Sequence, residues 1–116
     1  MRRPSRKPKA PRSFRPSWCE AMDLAAFKQS LTNAAPPPGL SPALEALWWD
    51  AKGDWAKAHH CVDHEESKDA ARIHAYLHRK EGDPANAGYW YSAAGAAPFN
   101  GALDAEWAEL IAARLK

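Results

Sequence analysis

A Gly-Asp step occurs twice in this chain, 29 residues apart, as Lys52-Gly53-Asp54-Trp55-Ala56-Lys57-Ala58 and Glu81-Gly82-Asp83-Pro84-Ala85-Asn86-Ala87. Each copy follows a helix-forming stretch and opens another with Ala at the same offset. Glycine ends a helix by taking the left-handed conformation that other side chains resist. Aspartate then accepts hydrogen bonds from the free N–H groups of the next helix. Two helical hairpins built on one plan follow from this spacing, which constrains the fold more than any other feature of the sequence.

The flanking sequence agrees. Ala and six Trp dominate the apolar residues, whereas Val occurs once and Ile twice, a balance that favours helix over sheet. Asp23 caps a predicted helix running to about Leu31, with Leu24, Phe27 and Leu31 along one face. The stretch Asn33 to Gly39 contains three consecutive prolines and is a stiff, non-helical connector. Ser41 and Pro42 open a second helix that turns Leu44, Leu47, Trp48 and Ala51 inward and ends at Gly53. A third runs from Trp55 to about Val62, and Ser67 caps a fourth from Lys68 to Glu81 with Ala70, Ile73 and Leu77 as its apolar stripe and Tyr76 at the edge. The fifth follows Asp83 and stops at Gly95. A last helix from about Asp104 faces Leu103, Trp107, Leu110, Ile111 and Leu115 inward. The predicted class is all-α.

At the 29-residue offset Leu44 matches Ile73, Ala46 matches Ala75, Leu47 matches Tyr76, and Ala58 matches Ala87. The string Gly82-Asp83-Pro84-Ala85-Asn86-Ala87-Gly88-Tyr89-Trp90-Tyr91-Ser92-Ala93-Ala94 resembles the turn and second helix of a tetratricopeptide repeat, and Ala46 and Ala75 are the small residues such helix pairs need where they cross. The resemblance spans Pro42 to Ala94. It departs in period, in Glu65 where a closing Ala belongs, and in His74 and His78, which stand where the pattern has Leu and Tyr. It implies short hairpins stacked in a tetratricopeptide-like arrangement, with flanking helices as caps and a partner protein or peptide as ligand. The segments His74–Asp83 and Asn86–Tyr91 are also similar to small bacterial proteins that carry no assigned activity.

Charge is unevenly spread. Residues 1–21 hold seven Arg or Lys against Glu20 alone, while the remainder holds nine basic and thirteen acidic side chains. The basic stretch reads as a disordered tail, or as sequence ahead of a true start at Met22, and residues 22–116 as one helical domain. Such a tail is the part of the chain that could hold nucleic acid. No apolar run reaches the roughly 18–20 residues of a membrane span. Two cysteines, Cys19 and Cys61, make no disulfide framework, so a reducing cytoplasm is expected.

All five histidines fall between positions 59 and 78. His74 and His78 are one helical turn apart, so both rings can serve one metal, with His59 or His60 approaching from the preceding helix and Cys61, Asp63 or Glu65 nearby. A divalent ion such as zinc is the cofactor this cluster would take. Packing is the competing explanation, since the repeat places core side chains at 74 and 78. The residues between them are Ala75-Tyr76-Leu77, which excludes the His-Glu-x-x-His protease motif. Trp48-Trp49 and Tyr89-Trp90-Tyr91 cannot bury every ring, because consecutive helical residues diverge by roughly 100°. Trp49, Tyr89 and Trp90 are therefore the expected contact surface for a protein partner. The first expectation is a cytoplasmic protein-interaction module with no catalytic residues. A metal-binding protein or metal-dependent enzyme is the second, and nucleic-acid association through residues 1–21 the third.

Overall fold

The computed structural model describes residues 23–115, and the expectations for residues 1–21 lie outside them. Six helices occupy that span: α1 (Leu24–Ser30), α2 (Pro42–Ala51), α3 (Trp55–Asp63), α4 (Lys68–Glu81), α5 (Pro84–Ala94) and α6 (Leu103–Arg114). No strand occurs among the described residues. None of these helices is long and apolar enough to cross a membrane.

The two Gly-Asp steps make the same turn. Gly53 and Gly82 have φ of +86° and +91°. Asp54 N–H donates to the Trp49 carbonyl at 3.0 Å, and Asp83 N–H donates to that of His78 at 2.9 Å. These bonds reach back five residues and close carbonyls that the helix end would leave free. The aspartate side chains then accept from Lys57 N–H and Asn86 N–H. Each turn therefore ends one helix and caps the next, folding α2 against α3 and α4 against α5. Ser41 and Ser67 cap α2 and α4 as their positions predict. Helix α2 stops at Ala51, which is exposed rather than turned inward, because Lys52 and Gly53 form the closing turn. Helix α6 begins at Leu103, behind Ala102, with no side-chain cap.

Residues matched by the repeat are buried in both halves: Leu44 and Ile73, Ala46 and Ala75, Leu47 and Tyr76, Ala58 and Ala87. Ala75 packs with Ala87 and Tyr91 at the α4–α5 crossing, where a larger side chain would push the helices apart. The main core joins Phe27, Leu47, Trp48, Val62, Ile73, Leu77, Leu110 and Ile111 from α1, α2, α3, α4 and α6. Trp48 buries its ring fully and donates its indole N–H to Ser30 Oγ at 3.0 Å, tying α1 to α2.

Polar groups also lock the interior. Glu106 on α6 has no exposed surface. Its carboxylate accepts from Arg72 at 2.8 Å, Arg79 at 2.7 Å and the Tyr91 hydroxyl at 2.6 Å. Arg79 also donates to the Gly101 carbonyl. Asp50 is likewise buried and accepts from the Tyr76 hydroxyl at 2.8 Å and Lys80 Nζ at 2.9 Å. Burial, then the neighbouring Asp50 carboxylate, pushes the Tyr76 hydroxyl up, so it stays a protonated donor. A buried charge is tolerated only when its partners replace water, and both carboxylates meet that condition.

Two measurements probe this frame. A Cβ on Gly82 meets nothing within 4 Å, so Gly82→Ala isolates the backbone cost of positive φ, about 1–2 kcal/mol in urea unfolding. Glu106→Gln removes the charge facing two guanidinium groups and is expected to lower stability by about 3 kcal/mol or more. A near-neutral effect would show that the carboxylate does not hold α6 to α4 and α5.

Candidate metal centre

His74 and His78 lie on α4 where it meets α3 and α5, and both are nearly inaccessible, at 2% and 7% exposure. His59 on α3 is half-buried. One ring nitrogen from each of His59, His74 and His78 lies within 4.8 Å of the other two. The His59 ring centroid is 4.9 Å from that of His74 and 5.4 Å from that of His78. These three residues are the convergent His, Cys, Asp or Glu group found among the described residues.

Hydrogen bonds fix which nitrogens are available. His74 Nε2 lies 3.1 Å from the Val62 carbonyl. A carbonyl oxygen can only accept, so Nε2 carries the proton and Nδ1 presents its lone pair. That Nδ1 is buried without a hydrogen-bond partner among the described residues. His78 Nδ1 lies 2.7 Å from Glu81 Oε2 and donates to it, leaving the Nε2 lone pair free. The Asn86 amide nitrogen lies 3.5 Å from the same Nδ1. A carboxylate behind an imidazole orients the ring and raises its basicity toward a metal.

Two indoles flank the cluster. Trp55 stacks on His59 with centroids 4.9 Å apart and planes at 11°, and its N–H is engaged by the Leu77 carbonyl at 2.9 Å. Trp90 stacks on His74 with centroids 4.1 Å apart and planes at 13°. Burial lowers the His74 pKa from 6.5, and the His59 and His78 rings act in the same direction, against the Val62 carbonyl and Asp63. The neutral ring is thus favoured, which is the form that binds a metal.

Of the residues singled out in the sequence, His59, His74 and His78 come together and His60 does not. His60 is exposed one residue further along α3, and its ring neighbours that of His64 at 6.0 Å. Trp90 is half-buried over His74 rather than free, while Tyr89 beside it is 65% exposed. Trp49 is half-buried on α2, edge-on to Trp48 and beneath Lys57 Nζ at 4.1 Å. Cys61 is half-buried, and its thiol is pushed up to about 11 by burial first and Glu45 second, which keeps it protonated. Glu81 reads in the sequence as a solvated helix residue. Its place three residues after His78 is the signal that pairs them.

No protein-family model, curated protein or solved structure matches the chain.

The metal-free protein should show the His74 shift as a pH dependence of stability. A histidine whose folded pKa is lowered contributes its full stability above the unfolded value of 6.5 and loses it as pH falls through that value toward the folded one. With chelator present, melting temperature is expected to drop on acidification from pH 7 to 5. The drop should be shallower in His74→Gln, whose amide can still donate to Val62. Equal slopes would contradict the assignment.

Proposed function

We propose that this chain is a metal-binding protein that holds one divalent transition ion between His59, His74 and His78. One observation carries the reading: three imidazole nitrogens lie within 4.8 Å of one another while His74 Nδ1 is buried with no partner. A buried lone pair without a donor costs stability, and a metal ion supplies what it lacks. In a tetrahedral zinc site with bonds of about 2.0–2.1 Å, ligand nitrogens sit about 3.3 Å apart. Binding would close the remaining gap of at most about 1.5 Å and would turn the His74 and His78 rings, now stacked with planes at 14°, so that both lone pairs aim at one ion. Three nitrogen donors without a thiolate suit zinc, cobalt, nickel or cupric ion, and not calcium or magnesium, which prefer oxygen. The ion would bridge α3 and α4 across the turn at His64–Ser67.

The matched turns and the buried Ala46 and Ala75 support two tetratricopeptide-like units, α2–α3 and α4–α5, flanked by α1 and α6. Partner binding is the second reading, favoured by the 65% exposure of Tyr89 against Trp90. One exposed ring is a smaller basis than a convergent ligand set. Trp49 lies on α2, in the other hairpin.

Zinc titration of chelator-treated, untagged protein tests the main reading. At free zinc about 100-fold above Kd, stability rises by about 2.7 kcal/mol, on the order of 10 °C in melting temperature. His59→Ala should abolish the shift, His60→Ala should retain it, and Glu81→Gln should weaken binding about 10–100-fold. Absence of a shift in the wild type, or an equal shift in His59→Ala, would contradict the proposal.

A further inference from the structure

We infer that the metal held by His59, His74 and His78 keeps a coordination position for an exogenous ligand, namely water or a small monoanion. The inference rests on the metal-binding reading and concerns what completes the ion's shell.

The convergent group supplies three donors, one fewer than a closed zinc-type site requires. No other His, Cys, Asp or Glu among the described residues joins the convergent group. Glu81 is bound to the far nitrogen of His78. His60 is exposed and lies outside the group. Cys61 packs against the main core and is not in the convergent group. The two indoles that flank the rings have no lone pair to offer, and the Trp55 N–H is committed to Leu77. No described residue beyond these three is placed to complete the shell, and the proposal assigns the fourth place to a ligand from solution.

Access and charge indicate what enters. His74 and His78 are buried, whereas His59, Trp55 and Trp90 are partly exposed, so the approach is from the His59 margin of α3. All three donors are neutral imidazoles, which leave the charge of the cation uncompensated by its own ligands. Glu81 offsets part of it through His78, and Asp63, at the exposed end of α3, acts on His74 from a distance. Trp55 and Trp90, stacked on two of the rings, make the surroundings less polarisable than water, which favours an anion at the open position. Water in the same place would be acidified, as it is in open three-ligand zinc sites.

Cobalt(II) substitution of the full chain reads the coordination shell directly, with azide as the probe anion. The expected result is one cobalt per chain and a saturable shift of the visible bands on adding azide, with both lost in His59→Ala. Stoichiometric cobalt binding with bands indifferent to azide would overturn the open position and leave the metal site standing. So would a thiolate-to-cobalt band in the near ultraviolet that disappears in Cys19→Ser or Cys61→Ser, since the protein would then supply the fourth ligand. Failure to bind cobalt at all would remove the metal-binding reading, and this inference with it.

Discussion

Among the described residues the buried carboxylate of Glu106 ties α6 to α4 and α5, and so constrains how α4 is turned about its own axis. Arg72 and Arg79 are seven residues apart on α4, so at roughly 100° per residue they project from nearly the same face. Both donate to Glu106, and Tyr91 brings α5 to the same carboxylate. With that face turned to α6, His74 and His78 point well round the helix toward α3 and α5. A rotation that swung the imidazoles away would pull two guanidinium groups from a buried anion. The ion-pair cluster and the histidine cluster are thus two consequences of one orientation.

Within that orientation the Val62 carbonyl decides the chemistry of His74. By accepting from Nε2–H it fixes the tautomer and leaves the other nitrogen as a lone pair in a buried setting. A leucine at this position would fill the space and demand nothing. The chain instead places an imidazole there, stacks Trp90 on it, and brings His59 to its edge. Glu81 performs the equivalent task for His78. Both hydrogen bonds leave the opposite ring nitrogen as the lone pair that the proposed metal site uses.

Much of the fold was legible because its signals are local. Gly53-Asp54 and Gly82-Asp83 act on neighbouring backbone, Ser41 and Ser67 cap the helices that follow, and the apolar stripes need only a period. The pairing of α3 with α4 was less accessible, since it turns on side-chain packing across a short connection. His74 and His78 stood out as departures from the repeat, whereas the choice of His59 over His60 depends on which side of α3 faces α4, a matter of one residue. Glu106 escaped notice although it lies on the stripe of Leu103, Trp107 and Leu110, where a charged residue signals a buried partner. Arg79 and Lys80 read in the sequence as charges favouring a helix C-terminus. Their ion pairs to Glu106 and Asp50 join residues 27 and 30 positions apart, a separation no local pattern reports.

The most direct measurement is a crystal structure of the zinc-loaded full chain with diffraction recorded on both sides of the zinc absorption edge. One anomalous peak is predicted, about 2.0–2.1 Å from a nitrogen of each of His59, His74 and His78, with Val62 and Glu81 still hydrogen-bonded to the opposite ring nitrogens. A peak at His60 and His64, or no peak beside His74, would contradict the assignment of this cluster as a metal site.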